Sequence, residues 1–146
     1  MPVYNGSTTQ LRRAVESVRA QTYRGPLEIV LVDDGSSDES VRSAIDELRS
    51  SVVRVIRLPE NRGIVAALNE AINHSTGEVI LCKSYERLND VCVNRFSHVK
   101  LLARMDADDL CETTRLETQV AFLANNPSEQ RRMVISILLL ITCRFF

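Results

Sequence analysis

Apolar positions along the chain follow two rhythms, short continuous runs and stripes at helical spacing, and the two rhythms take turns. Pro2-Val3-Tyr4 is apolar and extended. Asn5-Gly6-Ser7-Thr8 reads as a turn able to cap the helix that Leu11, Ala14, Val15 and Val18 mark by their spacing. Glu28-Ile29-Val30-Leu31-Val32 is a near-continuous β-branched run of the kind buried on both faces of a parallel sheet, and it gives way to Asp33-Asp34-Gly35-Ser36-Ser37. Val41, Ala44, Ile45 and Leu48 predict a second helix, capped by Ser37 or Asp38. Val52 through Arg57 predicts a third strand, Pro59 and Gly63 bracket a loop, and Ile64, Leu68, Ala71 and Ile72 form the inner stripe of a third helix. This strand-helix alternation predicts an α/β fold, a mostly parallel sheet with helices on both faces. Ligands of such sheets sit in the crevice at the carboxyl ends of the strands.

After Gly77-Glu78 the pattern breaks. Val79-Ile80-Leu81-Cys82 starts as a strand, Lys83 through Lys100 is polar and aperiodic, and Val99-Lys100-Leu101-Leu102 is a second strand start. The two stubs read as halves of one strand, separated by material that a compact α/β unit does not need. Leu116, Val120 and Leu123 predict one more short helix, stopped at Asn125-Asn126-Pro127. Val134 through Ile141 is strongly apolar but shorter than the about 18 residues that cross a bilayer. It is read as a buried strand or an apolar tail, not a transmembrane segment.

A chain of 146 residues with 45% hydrophobic content supports one core of ordinary size. The net charge of −1, with both signs interspersed, supplies no basic stripe and argues against a nucleic-acid partner. Cys82, Cys92, Cys111 and Cys143 lack paired metal spacing, and the N-terminus lacks the basic-then-apolar order of a signal peptide. A reducing cytoplasm is the expected location, the cytosolic face of a membrane included. Cys111 reads as a small buried apolar residue, and His74 and His98 have no motif context.

Charge does change the picture at Leu102-Ala103-Arg104-Met105-Asp106-Ala107-Asp108-Asp109, where three carboxylates follow an apolar run that reads as a strand. Like charges about 4–6 Å apart raise one another's pKa or recruit a cation, and hard oxygen ligands at this density suit Mg²⁺ or Mn²⁺. If the strand continues that far, its period of two points Asp106 and Asp108 the same way. Asp33-Asp34 also follows a strand, so both acidic loops should open onto one crevice. The bland alternative for these carboxylates is a solvated, helix-capping loop.

Taken in order, Met1-Pro2-Val3-Tyr4-Asn5, Gln21-Thr22-Tyr23, Glu28 through Asp38, Asn61-Arg62-Gly63 with Ala67-Leu68-Asn69, Gly77-Glu78 and Arg104 through Asp109 resemble family 2 glycosyltransferases over residues 1–78 and 103–127. The resemblance implies a GT-A fold, Rossmann-like and here incomplete, whose N-terminal half holds a UDP-, GDP- or dTDP-sugar with a divalent cation, Mn²⁺ or Mg²⁺, on the diphosphate. On that resemblance Pro2, Val3 and Tyr4 line the base pocket, and Asp34 or its neighbour Asp33 accepts from the base's ring N–H. Asp106 and Asp108 match the DXD pattern, with Asp109 as an alternative metal ligand. A metal held by Asp108 or Asp109 would stabilise the departing diphosphate as a Lewis acid, while Asp106 orients the ribose or the metal's water shell. Arg62 either approaches a phosphate or sugar or is an exposed turn arginine, and Gly63 permits a turn close to the ligand.

The same resemblance sets out what to expect of the remainder. Residues 1–127 read as one glycosyltransferase-like domain, interrupted at about 79–102 and followed by an unmatched tail, 128–146. Lys83 and Lys100 are the only lysines in the chain, which marks 79–102 as foreign to the arginine-rich remainder and suggests a retained intron or gene-model error. In the family the acceptor-binding half and the general base follow well after the acidic motif; Glu112, Glu117 and Glu129 come too early to match. The expected function is donor binding for an inverting, metal-dependent sugar transfer to a glycan, lipid or protein acceptor, or a catalytically inactive nucleotide-sugar-binding fragment. A receiver domain would need a lysine after Lys100, and a dinucleotide-binding oxidoreductase a G-x-G-x-x-G after the first strand; the chain has neither.

Overall fold

A computed structural model of the chain describes residues 1–76 and 103–126. The strand starts at 79–82 and 99–102, the polar stretch between them and the apolar tail 128–146 lie outside the described residues. Met1–Thr76 and Met105–Leu116 make one compact unit; of a second unit, residues 103–104 and 117–126 are described. No described helix is long and apolar enough to cross a membrane.

In the first unit β1 (Pro2–Val3), β2 (Ile29–Asp33) and β3 (Val53–Arg57) form a parallel sheet in the order β1-β2-β3. Pro2 stands beside Val32 and Val3 beside Asp33, while β2 and β3 run in register from Ile29 beside Val53 to Asp33 beside Arg57. Parallel neighbours require crossovers, supplied by α1 (Thr8–Arg19) and α2 (Glu39–Glu47). Ser7 caps α1 by accepting from the Gln10 N–H, and Asp38 caps α2 by accepting from the Ser40 N–H at 2.8 Å. The Ser40 hydroxyl and amide together hold the Asp38 carboxyl below its ordinary pKa.

The near-continuous apolar run of β2 is explained by packing on both faces. Ile29 and Leu31 join Val53 and Val55 under Leu11 and Val15 of α1 and Val41 and Ile45 of α2. On the opposite face Val30, Val32 and Ile56 meet Ala67 and Ala71 of α3 (Ile64–His74). Each fully buried Leu or Val contributes about 1.5–3 kcal/mol, so β2 is the spine of the unit.

Two expectations are corrected. In α3 the buried residues are Ala67, Ala71 and Ile72, whereas Ile64 is 49% exposed and Leu68 half-buried. Small alanines let the helix lie close on the sheet, and Gly63, at φ 85°, turns the chain so that Ile64 begins the helix at a cavity rim. The strand expected to run through Met105 into the acidic motif is absent from residues 103–108. The chain instead turns, with the Asp109 N–H donating to the Asp106 carbonyl at 3.3 Å. Met105 is taken up by Ala14 of α1 and by Cys111, not by a sheet face. Alternation along a strand therefore does not orient Asp106 and Asp108. The last described helix, α4 (Arg115–Asn125), lies where Leu116, Val120 and Leu123 predict one.

Candidate functional site

The carboxyl ends of the strands carry three loops, and hydrogen bonds between those loops shape the site. Asn5, at φ 45°, accepts from the Ser37 and Asp38 N–H groups at 2.9 and 3.0 Å through Oδ1, and its own N–H donates to Ser36 Oγ at 3.1 Å. This ties the loop after β1 to the loop after β2. Asp34 then ties the loop after β2 to the loop after β3: its two oxygens accept from the Arg62 and Gly63 N–H groups at 2.8 and 2.9 Å. The approach is close enough that a Cβ on Gly35, which has φ 73°, would run into the backbone of Glu60 and Asn61.

Asp33 and Asp34 are neighbours with different surroundings. Asp33 is fully buried; one oxygen accepts from the Ser36 N–H and the other from Arg57 Nε, both at 2.9 Å. The bond to Asp33 is the leading reason the Arg57 guanidinium is held above its ordinary pKa. Asp34, 3% exposed, lies at the wall of a cavity of about 460 Å³, a size typical of small-molecule sites.

Pro2, Val3 and Tyr4 form one wall of that cavity, with Tyr4 half exposed. The turn and first residues of α1 contribute Gly6, Ser7, Gln10 and Leu11; the loop after β3 contributes Asn61, Gly63 and Ile64. Asp106, Ala107 and Asp108 complete the lining, so the turns at 33–34 and 106–109 do face one space. Asp33, Arg62 and Asp109 are not part of the lining. The Arg62 guanidinium is half exposed and stands 3.9 Å from Glu70 Oε1 on α3. Burial, reinforced by the charges of Asp106 and Asp108, pushes the Asp109 carboxyl above its ordinary pKa.

The acidic turn is held on both flanks. Before it, Met105 packs on Ala14; after it, the Cys111 N–H donates to Ser17 Oγ at 2.9 Å and the buried Gln21 reaches Glu112 and Leu116. The sequence placed Asn5 only in a helix-capping turn and assigned no role to Ser17 or Gln21. Asn5 and Gln21 do sit inside the stretches that carry the family resemblance, which was the available signal. Their partners are remote, 91 positions away for the bond from Gln21 to Glu112, so no local periodicity reveals them.

Chemically the cavity pairs an apolar and aromatic wall with three carboxylates in its lining, those of Asp34, Asp106 and Asp108. Among the described residues no three His, Cys, Asp or Glu side chains gather into a closed metal cage. A family model described as glycosyl transferase family 2 matches residues 1–82, more than half of the chain. The chain belongs to that family. Its three parallel strands with helices on both faces are a partial Rossmann-like GT-A fold.

This family 2 chain is 40% identical over 83 residues to an N-acetylglucosaminyltransferase of Azorhizobium caulinodans, covering 56% of the chain and 21% of that protein. It is 32% identical over 118 residues to an uncharacterised glycosyltransferase of Haemophilus influenzae, covering 80% of the chain and 36% of the relative. With the bifunctional glycosyltransferase pgtA of Dictyostelium discoideum it shares 34% identity over 116 residues, 77% of the chain and 12% of that protein. The chain therefore spans between 12% and 36% of the lengths of these relatives.

Proposed function

We propose that the cavity is the donor site of an inverting, metal-dependent glycosyltransferase that moves a sugar from a UDP-, GDP- or dTDP-sugar to a glycan, lipid or protein acceptor. The observation that carries this reading is that Pro2, Val3, Tyr4 and Asp34 share one cavity with Asp106 and Asp108. A planar base suits the apolar and aromatic wall, and Asp34, whose oxygens already take backbone N–H groups, keeps lone pairs for a base N–H. Ribose and diphosphate would then run toward the acidic turn.

A diphosphate and three carboxylates repel unless a cation lies between them. Mg²⁺ and Mn²⁺ accept hard oxygen ligands, and Mg²⁺ sites commonly use one or two carboxylates with substrate phosphates and water completing the shell. An acidic turn that offers Asp106 and Asp108 to the cavity fits that pattern, with Asp108 or Asp109 as the protein's ligands and Asp106 on the ribose or the water shell. When bound, the cation would stabilise the charge that grows on the leaving diphosphate. The chain's own part is to fix base and ribose and to aim the carboxylates. Arg62, close by through its backbone, is assigned to a phosphate or sugar once its loose pairing with Glu70 gives way.

Calorimetric titration of the full chain with UDP, GDP and dTDP, each with and without Mn²⁺, tests the reading. One nucleotide should bind more tightly with the metal, and Asp108→Ala with Asp109→Ala should remove the metal's contribution. Metal-independent binding in both proteins would contradict it. A hydrolysis assay on the matching nucleotide-sugar separates a catalytic donor site from a binding module: release of free sugar supports the first and its absence the second.

A further inference from the structure

We infer that Gln21 is the positioning residue of the acidic turn, clamping the segment that follows Asp106–Asp109 onto the last turn of α1. Gln21 is 2% exposed, and both of its amide N–H groups and its carbonyl oxygen are engaged. Nε2 donates to the Ser17 carbonyl at 3.1 Å and to the Glu112 carbonyl at 2.7 Å, and Oε1 accepts from the Leu116 N–H at 2.9 Å. The neighbouring Thr22 N–H donates to the Thr113 carbonyl at 2.9 Å, and the Cys111 N–H donates to Ser17 Oγ. The stretch 111–116, which leads into the first turn of α4, thus has four backbone groups fixed to the C-terminal end of α1 and the residues just after it, two of them by this one amide.

The consequence lies at the other end of the same helix. Ser7, Gln10 and Leu11, at the start of α1, line the cavity that Asp106 and Asp108 also line. α1 is therefore a strut whose first turn forms a wall and whose last turn sets where the carboxylates stand. Met105 on Ala14 and Ala107 against the core that holds Leu11 secure the turn from the near side by apolar contact, which fixes depth but not direction. An apolar residue at position 21 could fill the same volume but would leave the Glu112 carbonyl and the Leu116 N–H without their partner.

The inference rests on the donor-site reading, and the experiment keeps the two apart. In the full chain, Gln21→Met preserves length and volume and removes all three bonds, while Gln21→Glu keeps only the acceptor for the Leu116 N–H. Affinity for UDP and for GDP is measured with and without Mn²⁺, alongside exchange of the Leu116 amide hydrogen. Partners bonded directly to metal ligands typically matter by about 10–100-fold; Gln21 holds the adjoining segment instead, so Gln21→Met should weaken Mn²⁺-dependent affinity by the lower end of that range, about tenfold. Metal-free affinity should be unchanged, the Leu116 amide should exchange faster, and Gln21→Glu should fall between. If Gln21→Met does not fold, Gln21→Glu is judged by the same split. Unchanged Mn²⁺ dependence overturns the inference, as does an equal loss with and without metal, which would mark general packing. A wild-type chain indifferent to Mn²⁺ overturns the donor-site reading, and this inference with it.

Discussion

The two acidic turns that face the cavity are built on opposite principles. At 33–34 the fold satisfies the carboxylates itself: Asp33 takes the Ser36 N–H and Arg57, and Asp34 takes the N–H groups of Arg62 and Gly63. At 106–109 the carboxylates crowd one another, to the point that burial and the charges of Asp106 and Asp108 raise the pKa of Asp109. The first turn is scaffold, with negative charge answered by identified protein donors. In the second, burial and neighbouring carboxylates outweigh the opposing charge of Arg115 at Asp109, and on the proposed donor-site reading this is where a cation would bind. Stability should therefore depend on the first turn and metal-linked binding on the second.

Asp33→Ala should have the largest effect on stability. It leaves the buried Ser36 N–H unsatisfied and strips Arg57 of its shortest partner, although Arg57 keeps Asp46 at 3.4 Å and partial exposure. The expected loss in urea unfolding is about 2–3 kcal/mol. Gly35→Ala comes next, since it forces a left-handed backbone on alanine and drives a methyl group into the Glu60–Asn61 backbone. We expect about 2 kcal/mol. Asp34→Asn, which turns an amide NH₂ toward one of two N–H donors, should cost about 1–2 kcal/mol and weaken nucleotide binding with or without metal.

The second turn should respond differently. Asp108→Ala, at an exposed position, should change stability by less than about 0.5 kcal/mol while removing most of the effect of Mn²⁺ on UDP affinity. A stability loss as large as that of Asp33→Ala would erase the distinction between the turns. The smallest effect is expected from Asp109→Asn in chelator-treated protein. A carboxyl whose pKa is raised on folding destabilises the folded state once it ionises. The variant should therefore be more stable by about 0.5 kcal/mol at neutral pH, and the gain should vanish as pH falls below the ordinary carboxylate range. A gain that persists at low pH would point to a cause other than charge.

Much of this architecture was legible because its signals are local. Leu11, Ala14 and Val15, and Val41, Ala44 and Ile45, announce their buried faces by spacing, and Ser7 and Asp38 announce their caps by position. The unbroken run of β2 foretold cover on both faces. What stayed illegible depends on remote partners or on close approach. Ile64 fits a helical stripe but stands at a cavity because Gly63 redirects the chain, and the sheet prefers the small Ala67. Met105 looks like the end of a strand because a β-run and a segment packed under a helix are equally apolar. Pro2, Val3, Tyr4, Asp34, Asp106 and Asp108 do meet in one cavity, whereas Asp33, next in sequence to Asp34, points into the protein. Residue type alone does not separate those two carboxylates; parity along β2 does, because Asp33 continues the face of Ile29 and Leu31 toward α2 and Arg57.

The central claim, that the two turns serve one ligand, is tested most directly by mapping amide chemical shifts as UDP and Mg²⁺ are titrated into the full chain. The account predicts that the amides of Tyr4, Arg62 and Gly63 shift together with those of Asp106, Ala107 and Asp108, along one binding isotherm. Shifts confined to one of the two turns, or two isotherms with different midpoints, would contradict it.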